Sequence, residues 1–67
     1  MPAGKIIKAA RNLEGMSLLE FGAKSGLHYS VLSQIEHGWR IPTPDQMKKI
    51  ESALPNLKKV ERILKDE

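Results

Sequence analysis

The sequence predicts an all-α protein in which five short helices pack as one domain. Apolar residues recur at the three- and four-residue intervals of a helix face rather than at the two-residue interval of a strand. Glycine and proline residues divide the chain into segments of helical length, and two of these segments begin with a capping box. A chain of 67 residues has room for one domain and not for two.

The first predicted helix places Ile6, Ala10 and Leu13 on one face. It ends at Gly15, because glycine readily takes the left-handed conformation that closes a helix. We expect this helix to be mainly structural. Its basic residues lie largely on other faces, and they are Lys5, Lys8 and Arg11.

The second predicted helix has the clearest local pattern in the chain. Ser17 is its N-cap and Glu20, three residues later, is the partner in a capping box. Met16 and Phe21 flank that box at the spacing of a hydrophobic staple. The helix runs to about residue 25, after which Gly26 supplies the positive φ of a tight turn.

A third predicted helix begins at residue 28 or 29 and ends before Gly38. Leu32 and Ile35 are three residues apart and face the core together with Leu27. The side chains on the other sides of this helix are Tyr29, Ser30, Ser33 and Gln34. Two short helices joined by a glycine turn, the second of them polar on its outer side, form the arrangement that presents a helix to the DNA major groove.

Two further helices follow. Thr43 caps the fourth, with Pro44 at its first position and Gln46 completing a second capping box, and Pro55 ends it. A fifth helix is predicted over about 56–65. Its apolar stripe consists of Leu57, Val60, Ile63 and Leu64. This stripe either completes the core of one chain or forms a dimer interface with a second copy, and the pattern fits both.

Charge and composition exclude several classes of function. The net charge of +3 suits a polyanionic partner, although eleven Lys and Arg against eight acidic residues is a modest excess. There is no cysteine, and the two histidines are nine residues apart, which is not the spacing of a metal pair. With no acid pair, activated nucleophile or phosphate-binding loop in view, we expect no enzyme, no metal, no cofactor and no small-molecule ligand.

The apolar runs are short, and no hydrophobic stretch follows a charged N-terminal region. We therefore expect neither a membrane span nor a secretory signal, and we expect a cytoplasmic protein.

The stretch SLLEFGAKSGLHYSVLSQIEHG resembles the helix-turn-helix of the lambda-repressor and Cro-like (Xre) family. The resemblance extends from about residue 6 to residue 54. The residues that carry it are Phe21, Gly22, Gly26, Leu27, Leu32, Ile35, Glu36, His37, Gly38, Pro42 and Thr43. It implies a compact five-helix, lambda-repressor-like domain, with the helix-turn-helix at residues 17–38, that binds double-stranded DNA.

The same resemblance implies roles for individual residues. Base edges are contacted by His28, Tyr29, Ser30 and Gln34. For the DNA backbone the resemblance points to Ser17 and Arg40, and we expect Ser33, Lys48 and Lys49 to add further contacts. Arg11 and Glu36 form a partly buried ion pair between the first helix and the end of the third.

The chemistry of the third helix limits which bases it can read. Gln34 can form a bidentate pair with adenine, and Ser30 can bond to several bases. Tyr29 either contacts a thymine methyl group or covers the apolar residues of its own helix. Since the helix contains no arginine, we expect a site whose contacted bases are not dominated by guanine.

Three positions raise separate questions. Gly22 lies inside the second helix, so we expect the third helix to cross there closely enough that Gly22→Leu weakens the fold while Gly22→Ala is harmless. Leu18 and Trp39 depart from the family pattern. Trp39 either lies against the DNA backbone, covers the core or marks a protein interface.

The sequence thus predicts a transcriptional regulator, a repressor that binds a palindromic operator as a homodimer through its third helix. The alternative is a protein-binding or antitoxin-like module whose main role is to bind a partner protein. Apolar surface for that role is offered by the fifth helix and by Leu18, Leu19 and Trp39.

Overall fold

The computed structural model describes residues 3–65, and within this range five α-helices form and no strand does. In chain order the helices are α1 (Ala3–Leu13), α2 (Leu18–Ser25), α3 (Tyr29–Glu36), α4 (Pro44–Ala53) and α5 (Leu57–Lys65). The predicted all-α fold of five helices is therefore confirmed. None of these five helices is long and apolar enough to cross a membrane.

One hydrophobic core lies between the helices. α1 packs against α3 and α5, while α2 packs against α3 and α4. The largest fully buried side chains are Ile7, Phe21, Leu32, Ile35, Ile50 and Leu54. Because α3 contacts both α1 and α2, its inner face lies at the centre of the fold and its position is fixed from two sides.

Capping boxes fix where α2 and α4 begin. The Ser17 Oγ accepts from the Glu20 N–H at 3.1 Å, and the Glu20 carboxylate accepts from the Ser17 N–H at 3.2 Å. Thr43 and Gln46 make the same pair of bonds at 3.1 Å and 3.0 Å. Both boxes predicted from the sequence are confirmed, and each satisfies backbone donors that a helix start leaves without partners.

The connection between α2 and α3 depends on glycine in two ways. Gly26 has a φ of 80°, a conformation that residues with a side chain rarely adopt. Gly22 faces this connection, and a Cβ at its position would lie 2.9 Å from the Leu27 carbonyl oxygen. The expected close approach is present. The prediction that Gly22→Ala is harmless is wrong, because even one methyl group meets backbone that cannot move aside cheaply.

α1 buries a somewhat different set of residues from the one predicted. Ile6 and Ala10 are buried, but Leu13 is 63% exposed. The chain turns back after α1, and the Met16 N–H donates to the Arg11 carbonyl at 3.2 Å. Met16 is thereby buried and fills the core at the end of α1, so Leu13 is left in solvent.

Gly4, which no sequence pattern marks, is buried where α1 crosses the last turn of α3. A Cβ at Gly4 would lie 2.7 Å from the Glu36 carbonyl oxygen and closer still to that of Ile35. The crossing therefore requires a residue without a side chain.

The apolar stripe of α5, which the sequence assigned either to the core or to a dimer interface, is only partly buried. Leu57 and Val60 are buried in the core of this single chain. Leu64 is half-buried and packs against that core, whereas Ile63 is 56% exposed. Two of the four residues thus complete the monomer, and they are not available to a second copy.

Candidate nucleic-acid interface

α3 separates its residues into an inner and an outer face. Leu32, Ile35 and Glu36 are buried on the inner face. Residues four apart on a helix are neighbours, so Tyr29 lies next to Ser33 and Ser30 lies next to Gln34 on the outer side. Tyr29 and Ser30 are exposed, while Ser33 and Gln34 are half-buried. The outer face therefore presents polar groups to solvent from a helix whose other face is fixed in the core.

His28 is the N-cap of α3, a structural role that the sequence analysis does not assign to it. Its Nδ1 accepts from the Ser30 N–H at 3.2 Å and lies 2.7 Å from the Ser30 Oγ. A ring nitrogen that accepts a backbone N–H carries no hydrogen, so the Ser30 hydroxyl must donate to it. The Ser30 oxygen is then left as an acceptor, and neutral His28 carries its hydrogen on Nε2.

Tyr29 stacks on the His28 ring, with the ring centroids 4.6 Å apart and the planes inclined by 28°. Its side chain remains 46% exposed. Of the two roles left open by the sequence, covering the core is the poorer fit, because Tyr29 packs on a surface ring and keeps nearly half its area in solvent.

α3 ends in a Schellman motif at Gly38, which has a φ of 80°. The Gly38 N–H donates to the Ile35 carbonyl at 3.1 Å, and the Trp39 N–H donates to the Gln34 carbonyl at 2.9 Å. These are the two bonds that define the motif. They reverse the chain and bring the segment after α3 back beside its last turn.

The reversal brings Arg40 to Gln34. The Arg40 Nε donates to the Gln34 Oε1 at 2.9 Å, across the surface of the last turn. Gln34, predicted to contact a base, and Arg40, predicted to contact a phosphate, are therefore hydrogen-bonded directly to each other. Within the described residues, the Nη groups of Arg40 make no hydrogen bond and are free to donate to another group.

Trp39 does not cover the core, since its side chain is 76% exposed. It stacks on His37, with a centroid separation of 4.7 Å and an interplanar angle of 25°. His37 is held in turn by its Nδ1–H, which donates to the Ser33 carbonyl at 2.7 Å. The loop after α3 is thus tied to the helix by side chains as well as by its backbone.

Of the other predicted phosphate contacts, Ser33 is half-buried on α3 itself and the remaining three lie on other elements. Ser17 is exposed at the start of α2, but the Glu20 carboxylate is bonded beside it and opposes an approaching phosphate. Lys48 is exposed on α4. Lys49 is also exposed, and its Nζ lies 3.5 Å from the Asp45 carboxylate on the preceding turn. Of the three cations predicted to contact phosphate, all of them among the described residues, Arg40 alone is hydrogen-bonded to a residue on α3.

Behind the outer face, Arg11 and Glu36 form a bidentate ion pair. The Arg11 Nε donates to Oε2 of Glu36 at 2.8 Å, and its Nη2 donates to Oε1 at 3.1 Å. The Arg11 Nη1 also donates to the Met16 carbonyl at 2.8 Å. The two side chains are 12% and 3% exposed. The cation offsets the unfavourable position of a carboxylate at a helix C-terminus and ties α1 to the end of α3.

The comparisons with known proteins give one match. A family model described as "Helix-turn-helix" matches residues 7–61, which include all of α2, α3 and α4 and parts of α1 and α5. No curated protein and no solved structure matches the chain significantly.

Proposed function

Because the chain belongs to the lambda-repressor and Cro-like (Xre) helix-turn-helix family, whose members are DNA-binding regulatory domains, we propose that it regulates transcription by sequence-specific binding to double-stranded DNA. The observation that supports this best is the outer face of α3. Its polar side chains face solvent while Leu32 and Ile35 hold the same helix in the core.

In the proposed complex, α3 lies in the major groove. Gln34 contacts adenine, the Ser30 oxygen accepts from a base amino group, and Tyr29 meets a thymine methyl group. Arg40 donates to phosphate through its free Nη groups. The net charge of +3 favours approach to the duplex without supplying specificity.

We propose that a homodimer binds a palindromic operator. A single eight-residue helix spans only a few base pairs, whereas two copies reach successive major grooves about 34 Å apart. On α5, Ile63 is exposed and Leu64 is half-buried, so these residues are the part of the predicted interface still open to a second copy. Repression is then an effect of occupancy, because a bound dimer excludes other proteins from the operator. We also propose that the protein acts in the cytoplasm.

Selection of duplexes from a random pool, followed by affinity measurements over a range of salt concentrations, tests the proposal. We expect enrichment of a palindromic sequence and an affinity that falls steeply as salt rises. Gln34→Ala should relax the preference at one position per half-site, whereas Lys48→Ala should leave the preference unchanged. Sedimentation of the complex should give two chains per operator. A pool without enrichment would contradict the proposal.

A partner-binding module is the second candidate, and the exposed apolar side chains after α3 favour it. Trp39 is 76% exposed and Ile41 is 89% exposed, and both lie in the same loop. Such side chains in one loop are unusual on a surface that meets only solvent. A chain that enriches no duplex but forms a stable complex with another protein, lost in Trp39→Ala, would support this candidate instead.

A further inference from the structure

We propose that Arg40 sets the base preference of Gln34 by holding the oxygen of its side-chain amide, so that the amide N–H groups are presented to the base. The inference rests on the proposed function, since it concerns how the outer face of α3 reads a duplex. It assigns Arg40 a positioning role in addition to contact with phosphate.

The backbone holds Arg40 where this contact forms. The Schellman motif bonds Gly38 and Trp39 to α3 at 3.1 Å and 2.9 Å. The stacking of Trp39 on His37 restrains the same loop from its side-chain face. The loop is thus short and doubly restrained, and little conformational freedom is lost when the Arg40 Nε meets the Gln34 Oε1 at 2.9 Å.

The chemistry of the two groups allows one orientation of the amide. A glutamine amide has an acceptor on one side and a donor NH₂ on the other, whereas a guanidinium carries donors only. If the Gln34 amide turned over, it would place its NH₂ group against Arg40 and lose a charge-assisted hydrogen bond. With Oε1 facing Arg40, both N–H groups of Nε2 remain for the base, together with one lone pair of Oε1.

This orientation predicts which base Gln34 rejects. In the major groove adenine, guanine and thymine each present at least one acceptor, whereas cytosine presents only its N4 amino donor. An NH₂ group aimed at cytosine meets another donor. Adenine fits best, because its N7 accepts from Nε2 and its N6 amino group donates to the remaining lone pair of Oε1.

The test is a mutant cycle on base preference. The position read by Gln34 is the one whose preference Gln34→Ala relaxes, and affinity is measured for four duplexes that differ only there. We expect the parent to bind the cytosine duplex about tenfold more weakly than the adenine duplex. Arg40→Ala should lower this ratio, because the freed amide can turn over and offer its oxygen to the cytosine amino group, although adenine still gains the second hydrogen bond. Arg40→Ala should change the ratio no further when Gln34 is already alanine.

Two controls separate positioning from general attraction. Arg40→Lys keeps a donor within reach of Oε1, so part of the ratio should return. Lys48→Ala removes an exposed cation that does not contact Gln34, so the ratio should equal that of the parent. Arg40 is exposed, and unchanged far-ultraviolet circular dichroism should show that its variants fold.

The outcomes distinguish this inference from the proposed function. The positioning role alone is overturned if the parent selects an operator but Arg40→Ala keeps the parent's ratio. In that case Arg40→Ala binds all four duplexes more weakly by the same factor. A parent that selects no sequence overturns the proposed function and the positioning role with it.

Discussion

Two arginines tie their segments to the last turns of α3, one inside the protein and one outside. Arg11 meets Glu36 through two hydrogen bonds, and their side chains are 12% and 3% exposed. Arg40 meets Gln34 through one hydrogen bond on the surface. Inside, water cannot replace a lost partner, so each charge depends on the other. Outside, water can replace either partner, so the contact contributes little to the stability of the fold.

The largest effect expected from this contrast is on the free energy of unfolding of Arg11→Met. The substitution keeps much of the side-chain volume but strands the buried Glu36 carboxylate, which should cost about 3–5 kcal/mol. A domain of this size has a total stability of about 3–10 kcal/mol, so a large fraction of it is lost. Urea denaturation followed by circular dichroism measures the difference.

Arg40→Met is the matched control, since it makes the same chemical change at the exposed contact. Its free energy of unfolding should lie within about 0.5 kcal/mol of the parent. Equal losses in the two variants would show that burial does not separate the two contacts.

The next effect concerns the glycines packed against the two ends of α3. Gly22→Ala should lower the free energy of unfolding by about 1–3 kcal/mol, because its methyl group meets the Leu27 carbonyl. Gly4→Ala should cost more, since two carbonyl oxygens of the last turn, those of Ile35 and Glu36, would lie within 3.0 Å of the new carbon.

Ala23→Gly provides the reference for helix propensity, because Ala23 is exposed on the same helix as Gly22. There the alanine should be the more stable residue, by about 1 kcal/mol. If Gly22→Ala instead stabilised the protein by a similar amount, the packed face of α2 at Gly22 would tolerate a methyl group as well as the exposed face at Ala23 does.

The smallest expected effect is at the start of α3, where His28 is exposed but caps the helix. It tests whether an exposed contact can also contribute to stability. His28→Ala removes the acceptor that caps the Ser30 N–H and should cost about 1 kcal/mol. His28→Asn should restore most of that loss, because asparagine is a strong N-cap. Thermal melts of the parent and the two variants measure this. If His28→Ala melted at the same temperature as the parent, the His28 hydrogen bond would contribute nothing to stability.

Much of the fold could be predicted from local sequence. Ser17 with Glu20 and Thr43 with Gln46 form capping boxes because the interacting groups lie within four residues of each other. The pairing of Arg11 with Glu36 is different. Residues 25 apart in the chain could be expected to meet only through the family resemblance.

The features that could not be predicted depend on how segments meet in three dimensions. Periodicity places Leu13 on the apolar face of α1 but does not reveal that Met16 turns back to fill that end of the core. Gly4 gives no pattern because the contact that requires it belongs to α3. Gly38 marks the end of α3 in the sequence, but the contact of Arg40 with Gln34 follows from the reversal that Gly38 permits.

The separation of the two faces of α3 has a consequence for how such a regulator can be retargeted. Tyr29, Ser30 and Gln34, which we propose to contact bases, are absent from the buried core, so we expect substitutions at these positions to change the preferred operator while the scaffold survives. Gln34 and Arg40 are the exception, because a new side chain at one position meets an unsuited neighbour at the other. We therefore expect Gln34 and Arg40 to change together when the DNA preference of such a domain evolves. A library built on this domain should vary the two residues jointly.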